Sequence, residues 1–292
     1  MPEPGWRQCP LTVETDPSHG GRWTSLCALP PASLPSEHGE LRVPAREWLW
    51  HHPDPEIARA RQQARPGAAF VDAGGVEECL PTVRGEPDHG AVWSRPWSAG
   101  TDGAHVVADG LRLDRRIRAD GTVTVDYTIT GQPHAPVVHA VHALIDVSPA
   151  ARLDAPGVRT AHLLDGGAVV PWPSGLDRLG PDDGTATAAV LPGCTAVTLH
   201  DGADALELAW RSPSGAPCSL LLWRNLRGWP DAAPYRSVGV EPMIGTAATP
   251  DAPGTGRPAR LGPDGTLRWQ LTLRAWRGPG RSGKPPSCFA SS

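Results

Sequence analysis

Two alternating segments joined by an Asp-Gly dipeptide are the strongest structural signal in the chain. Residues 111–119 (LRLDRRIRA) and 122–130 (TVTVDYTIT) alternate between apolar and polar side chains. The Asp-Gly at 120–121 between them is typical of a tight β-hairpin turn. Further Asp-Gly turns occur at 201–202 and 264–265. The pattern predicts antiparallel strands joined by short turns.

Glycine and proline are too frequent for a helical protein. The 292 residues include 33 glycines and 34 prolines, which suits many short strands. Residues 51–72 look the most helical, but Pro53, Pro55 and Pro66 confine any helix to about 57–64, within a long loop. The sequence therefore predicts an all-β fold, a large antiparallel sandwich of curved sheets.

The predicted organisation is one β-sandwich domain over residues 1–278 and a disordered tail over 279–292. A single all-β domain of this length is common. The tail is low in apolar residues, and residues 1–18 are polar and proline-rich and are expected to open with an irregular arm.

Charge and cysteine usage exclude several classes of protein. The net charge is −4 and the pI is about 6.2, so nucleic acid and anionic membranes are not expected as partners. The six cysteines form no CxxC pair and have no metal-knuckle spacing, so no metal is expected. The N-terminus lacks a secretory signal and no apolar run could span a bilayer. We expect a cytoplasmic protein with reduced thiols.

A polar and aromatic segment over residues 74–97 is the first candidate for a binding site. It contains two adjacent carboxylates, a histidine, arginines and tryptophans, punctuated by glycine and proline. On a strand only one of the two carboxylates, Glu77 or Glu78, faces a given side, and either could bind hydroxyls or be a surface charge. His89 could hydrogen-bond a hydroxyl or be an ordinary turn residue.

A histidine and a glutamate later in the chain suit proton-transfer chemistry. His142 shares one strand face with Ala140 and Leu144, whereas His139 points to the other face. Glu241 ends an apolar strand before a proline. A buried core histidine and a solvated strand-end glutamate are the alternatives. As a pair, the two could act as general acid and general base on a small substrate.

Signatures of several other enzyme classes are missing from the sequence. No nucleophile elbow, P-loop or dinucleotide-binding glycine pattern occurs. Chemistry that handles phosphates or uses a nucleotide cofactor is therefore poorly supported.

Five segments resemble motifs of the aldose 1-epimerase (galactose mutarotase) family, in a divergent branch. They are HGGRWTSL at 19–26, DHG at 88–90, VHAVHALIDVSP at 138–149, WRNLRGWP at 223–230 and VGVEPMIGTAATPDA at 238–252. The resemblance extends over roughly residues 12–276. It implies a galactose mutarotase-like β-supersandwich and the interconversion of α and β anomers of an aldose, with a sugar as the small-molecule partner and no cofactor.

The resemblance also implies roles for individual residues. Glu241 takes the proton from the anomeric hydroxyl, and His142 protonates the ring oxygen. His89 corresponds to the family's sugar-contacting histidine, and Arg95 resembles the phosphosugar-binding arginine of the hexose-6-phosphate branch. The family's substrate-binding arginine and aspartate have no counterpart that can be placed.

The remaining substrate contacts are expected from aromatic and acidic side chains. Trp93 and Trp229 are predicted to provide walls on which a sugar can stack, and Glu78 is predicted to bind hydroxyls. Two other functions remain open: a non-catalytic carbohydrate-binding protein on the same fold, and a lyase or hydrolase that pairs Glu241 with Glu77 or Glu78.

Overall fold

The computed structural model describes residues 5–31, 44–100, 103–251 and 256–278. The tail predicted to be disordered, 279–292, lies outside the described residues. One α-helix and 21 strands are present in the described part of the chain, with a short 3-10 turn at Pro17–His19. The helix is α1 (Pro55–Gln63). The strands are β1 (Arg7–Cys9), β2 (Leu11–Asp16), β3 (Arg22–Ala28), β4 (Arg46–Glu47), β5 (Val76–Cys79), β6 (Ser98–Gly100), β7 (Gly103–Ala108), β8 (Leu111–Ala119), β9 (Val123–Thr130), β10 (Pro136–Val137), β11 (His139–Ala143), β12 (Arg152–Asp154), β13 (Thr160–Leu163), β14 (Val169–Pro171), β15 (Ala186–Pro192), β16 (Ala196–Asp201), β17 (Asp204–Arg211), β18 (Cys218–Trp229), β19 (Tyr235–Ile244), β20 (Ala259–Arg260) and β21 (Thr266–Arg277).

The strands form two large antiparallel sheets. The nine-stranded sheet has the order β12-β16-β17-β21-β9-β8-β7-β6, and β1 also pairs with β21. The ten-stranded sheet has the order β14-β13-β15-β18-β19-β11-β5-β3-β2, and β4 also pairs with β3. Strands β10 and β20 form a separate pair. The all-β antiparallel sandwich predicted from the sequence is confirmed.

The hairpin predicted from alternation is present as β8 and β9. Their register pairs Ala119 with Val123 and Arg112 with Thr130. Buried and half-buried residues alternate along β9, because successive side chains of a strand point to opposite faces. The apolar face of the hairpin is therefore turned toward the core.

Residues 7–9 and 11–16 form regular strands and not an irregular arm. Residues 7–9 pair with β21, and residues 11–16 pair with β3. Cys9 and Leu11 are buried in the core. These residues consequently join both sheets, and the prediction of an irregular arm over 1–18 is wrong for this part of it.

Helix α1 begins earlier than the prolines suggested. Asp54 caps it by accepting a hydrogen bond of 2.9 Å from the backbone N–H of Glu56. Pro55 occupies the first turn, where a missing N–H costs nothing and the fixed φ suits a helix. The helix therefore runs over Pro55–Gln63, rather than starting near residue 57.

The two sheets enclose the main hydrophobic core, and a second apolar cluster lies on the outer side of the ten-stranded sheet. Val240 and Leu222 belong to the main core, whereas their strand neighbours Met243 and Leu221 belong to the outer cluster. Polar residues that point to the same side of the sheet as Met243 and Leu221 therefore lie on its outer side, away from the main core. In the described part of the chain, no helix is long and apolar enough to cross a membrane.

Candidate functional site

Three polar residues form a row across adjacent strands on the outer side of the ten-stranded sheet. The β5–β11 register places Glu77 directly opposite His142. The β11–β19 register, which pairs Ala140 with Met243 and Leu144 with Gly239, places Glu241 opposite His142 on the other side. Directly opposed residues of antiparallel strands share a face and have close Cβ atoms.

His142 and Glu241 are in direct contact and are otherwise unpartnered. Nδ1 of His142 lies 2.9 Å from Oε1 of Glu241. Glu241 is fully buried and His142 is 6% exposed. Both ring nitrogens and both carboxylate oxygens lack a well-aligned hydrogen bond among the described residues. Buried polar groups usually have hydrogen-bond partners, so this pair stands out as the candidate centre of a site.

The charge of Glu241 keeps His142 protonated at neutral pH. Burial alone disfavours the imidazolium, but Glu241 outweighs it, and Asp72 and Glu77 add to the effect. Together they raise the pKa of His142 to about 9. The imidazole is thus available as a proton donor beside an acceptor.

The pair lies at a cavity of about 560 Å³. This volume falls within the usual range for small-molecule sites. Its wall combines carboxylates, an arginine, two histidines and aromatic rings with a few aliphatic side chains. The lining residues are Phe70, Asp72, Val83, Arg84, Asp88, His89, His142, Leu164, Asp165, Ala186, Ala188, Leu221, Trp223, Gly228, Trp229 and Glu241.

The ring of His89, a residue that the sequence singled out, lies beside that of His142 at the cavity. Its ring stacks on Phe70 with centroids 3.6 Å apart, and its ring centroid lies 4.9 Å from that of His142 in an edge-to-face arrangement. The backbone of His89 is left-handed, with φ of 58°, and Asp88 Oδ2 lies 3.0 Å from its Nδ1. The turn therefore presents the ring to the cavity.

Two tryptophans form one wall of the cavity. Trp229 is 47% exposed and its ring lies edge-to-face with Trp223 at 6.1 Å. Gly228, between them, lies so close to the backbone of Thr185 that a Cβ would be 2.2 Å from its carbonyl carbon. Trp229 was predicted as a sugar-stacking residue, and its exposed face is available for this.

Glu78 does not line the cavity. It faces the main core, where it is fully buried and accepts hydrogen bonds from Arg115 at 2.8 Å and Tyr127 at 2.9 Å. Nε2 of His139 lies 3.1 Å from it. Burial acts to raise the pKa of Glu78, but His139 and Arg115 hold it below its usual value. Glu77 points to the same side of the sheet as His142, so Glu78, the next residue of the strand, must point to the opposite side.

Arg95 also lies outside the cavity lining. Its Nε donates to the carbonyl oxygen of Ala91 at 3.1 Å, and its Nη2 lies 3.8 Å from Asp109.

Trp93 is 1% exposed and packs behind the cavity, with its ring 5.1 Å from that of Phe70. Trp93 therefore supports the wall and does not form it.

Glu77 shares the face of His142 but is not free. Arg61 donates to its two carboxylate oxygens at 2.6 and 2.8 Å. The pairing of Glu241 with Glu77 or Glu78 for hydrolysis loses its basis, because both partner carboxylates are held in ion pairs away from the cavity lining.

Lining residues outside the predicted segment 74–97, such as Phe70, Asp72 and Asp165, carried no sequence signal. Phe70 and Asp72 follow α1 in a segment without strand or helix periodicity. Asp165 and Arg84 come from separate loops and lie 3.1 Å apart. Among the described residues, no group of three or more His, Cys, Asp or Glu could hold a metal ion.

The chain is similar to several solved structures at low sequence identity. The galactose mutarotase-like protein from Lactobacillus casei is 13% identical, with a TM-score of 0.60 over 93% of this chain and 100% of that chain. The GalM/aldose epimerase homologue from C. elegans is 14% identical, with a TM-score of 0.61 over 94% of this chain and 99% of that chain. The galactose 1-epimerase from Lactobacillus acidophilus is 12% identical, with a TM-score of 0.56 over 93% and 92%.

No protein-family profile and no curated protein sequence matches the chain. The likeness is therefore one of three-dimensional structure, and it extends over nearly the whole of both chains. The chain has the galactose mutarotase-like fold.

Proposed function

We propose that the protein is an isomerase that interconverts the α and β anomers of an aldose. The observation that carries the proposal is the contact between His142 and Glu241 at one cavity, where neither side chain has another hydrogen-bond partner among the described residues. His142 is protonated at neutral pH because its pKa is raised to about 9, and the carboxylate of Glu241 beside it is the proton acceptor. This is the acid–base pair that anomer interconversion needs.

The proposed reaction opens the sugar ring. Glu241 takes the proton of the anomeric hydroxyl while His142 gives its proton to the ring oxygen. The bond between the anomeric carbon and the ring oxygen breaks and an aldehyde forms. Rotation about the adjacent carbon–carbon bond and reversal of both transfers closes either anomer.

The spacing of the pair suits this chemistry. The anomeric oxygen and the ring oxygen are attached to the same carbon, so the groups that serve them must lie close together. The 2.9 Å separation of Nδ1 and Oε1 meets that requirement. Among the residues that the structure describes, Nε2 and Oε2 also have no hydrogen-bond partner, so each group has a second atom for the substrate.

The cavity wall favours an uncharged aldose over a phosphorylated one. Asp72, Asp88, Asp165 and Glu241 line it, and Arg84 is already paired with Asp165 at 3.1 Å. Arg95, the candidate for binding phosphate, is directed elsewhere. The exposed ring of Trp229 offers the flat apolar surface that suits a hexose face.

Polarimetry and NMR of freshly dissolved aldoses test the proposal. The protein should accelerate the approach to anomeric equilibrium for at least one common aldose. Glu241→Gln and His142→Asn should each lower the rate by about 10²–10⁴-fold, the usual contribution of one positioned acid or base. Both changes preserve approximate size, so thermal unfolding should shift little.

A matched control separates chemistry from general damage. Glu207→Gln removes a carboxylate of the nine-stranded sheet that is paired with Arg274, and it should leave the rate unchanged. Wild-type rates in both site variants would contradict the proposal. Sugar binding without acceleration for any aldose would favour the carbohydrate-binding alternative.

A further inference from the structure

Asp72 is a pocket carboxylate with one oxygen occupied and one oxygen free. It lines the cavity together with His142 and Glu241. Its Oδ2 accepts a hydrogen bond of 2.7 Å from the hydroxyl of Tyr235. Its Oδ1 is buried and has no hydrogen-bond partner among the described residues. The carboxylate is thus half satisfied by the protein.

Tyr235 fixes the orientation of this carboxylate. Its ring stacks on Trp50 at 5.6 Å with an interplanar angle of 11°, and His52 packs against it edge-on at 4.7 Å. Burial, together with the charge of Asp72, raises the pKa of the Tyr235 hydroxyl. The hydroxyl therefore remains protonated and continues to donate to Oδ2.

The backbone beside Asp72 is also held in place. Arg22 donates to the carbonyl oxygens of Ala73 at 2.8 Å and Gly74 at 2.9 Å. Gly74 has a φ of 79°, and a Cβ there would lie 2.2 Å from the carbonyl oxygen of Trp50. These contacts fix the segment next to Asp72, so the free oxygen is pre-organised for a ligand.

We propose that Asp72 binds a substrate hydroxyl through Oδ1 and selects the sugar by that hydroxyl. This inference rests on the proposed function and extends it to a residue that no motif identifies. An ionised carboxylate only accepts hydrogen bonds, so its partner in the cavity must be a donor. A sugar hydroxyl is such a donor, and charge-assisted bonds of this kind are shorter and stronger than neutral ones.

The contact exists before and during the reaction, since the hydroxyl it binds does not react. Removal of such a contact raises KM and leaves kcat nearly unchanged. Asp72 also contributes to the raised pKa of His142. A small fall in kcat can therefore accompany the larger change in KM.

The test combines Asp72→Ala with monodeoxy derivatives of the aldose that the wild type turns over best. For wild type, one deoxy position should reduce kcat/KM by about 10- to 100-fold, the effect of one hydrogen bond to a charged group. In Asp72→Ala that same deoxy sugar and its parent should react equally well. For the other deoxy sugars, the fold reduction in kcat/KM relative to the parent sugar should be the same in the variant as in wild type.

Three further variants, one of them a control, separate binding from folding. Asp72→Asn keeps the size of the side chain, so it serves if the alanine variant does not fold. Tyr235→Phe should raise KM but keep the deoxy dependence, because it removes only the positioning bond. Asp114→Asn alters a carboxylate paired with Arg112 on the nine-stranded sheet. This control should change neither the KM nor the effect of the deoxy substitutions.

If each deoxy sugar loses as much kcat/KM in both Asp72 variants as it does in wild type, Asp72 does not bind a hydroxyl and the inference is overturned. If the wild type binds sugars without turning them over, dissociation constants replace kcat/KM in the same comparison. The proposed function then fails alone. If no sugar binds at all, both proposals fail.

Discussion

Arg61 of helix α1 donates two hydrogen bonds to Glu77, the residue directly opposite His142 on the neighbouring strand. Arg61 is 1% exposed, and its guanidinium also lies 4.8 Å from the centre of the Trp93 ring. It donates further to the carbonyl oxygens of His19 and Trp93. The helix is thereby attached to β5, the strand next to His142.

Arg61→Ala should therefore destabilise the protein by about 3–5 kcal/mol, because it leaves the Glu77 carboxylate buried without its partner. Denaturant unfolding followed by tryptophan fluorescence measures this. Arg59→Ala is the matched control on the same helix, where the pair with Glu56 is largely exposed and contributes about 0–1 kcal/mol. Equal losses for the two variants would show that the buried pair has no special role.

The segment after α1 should loosen in the same variant. It carries Phe70 and Asp72 into the cavity, and Arg61 fixes the helix that precedes it. We expect weaker sugar binding in Arg61→Ala even under conditions where the protein remains folded. Isothermal titration at low temperature checks this, with Arg59→Ala again as the control.

The raised pKa of His142 gives a definite pH dependence. Burial opposes the charged ring, but Glu241 raises the pKa to about 9. As a general acid, His142 must be protonated, so kcat/KM should hold its neutral-pH value up to about pH 8 and fall as the pH rises through about 9. A profile that falls near pH 6.5, the ordinary value for histidine, would contradict the assignment.

The same pKa affects stability. The folded-state value lies above that of an unfolded chain, so His142 contributes stability that is fully present below about pH 6.5 and lost as the pH rises through about 9. In Glu241→Gln the charge that raises the pKa is removed. NMR titration of the imidazole should then show a lower pKa than in the wild type.

The main elements of the fold could be predicted from sequence because local patterns specify them. Alternation and an Asp-Gly turn identified the β8–β9 hairpin, and the density of glycine and proline excluded a helical protein. His142 and Glu241 could be singled out because each is a titratable residue in an apolar strand. Their contact could not be derived locally, since it depends on the β11–β19 register.

The choice between Glu77 and Glu78 shows the limit of strand patterns. Alternation indicates that one of them faces the cavity side, but which one depends on the pairing with β11. A shift of one residue reverses every side chain of a strand. Asp72 and Phe70 were missed for another reason: they belong to a loop, where no periodicity marks the inward direction.

Trp229 provides a prediction about binding that is independent of proton transfer. Trp229 is 47% exposed at the cavity wall, so Trp229→Ala should leave stability almost unchanged. Sugar affinity should fall by about 3- to 10-fold, as expected for the loss of one stacking contact of about 0.5–1.5 kcal/mol. Trp6→Ala, at a half-buried tryptophan beside His200, is the control. An unchanged dissociation constant for Trp229→Ala would remove the stacking role.

The charge of the cavity predicts discrimination against phosphorylated sugars. Four carboxylates line the cavity, against one arginine and the protonated His142. Because Asp165 lies 3.1 Å from Arg84, this cation is not free to receive a phosphate. For the same aldose, the 6-phosphate should react with a kcat/KM at least about 10-fold lower, the effect of roughly 1.4 kcal/mol of repulsion.

Salt and a single substitution distinguish this charge effect from a steric one. Repulsion between partly exposed groups is screened by salt. High ionic strength should therefore reduce the difference in kcat/KM between the free and the phosphorylated sugar. Asp165→Asn should narrow it further, since the variant removes a negative charge and releases Arg84. NMR measurement of anomer exchange on both sugars tests this with one readout. Discrimination that resists both salt and Asp165→Asn would point to a steric cause, and faster turnover of the phosphorylated sugar would show that the cavity is built for the charged substrate.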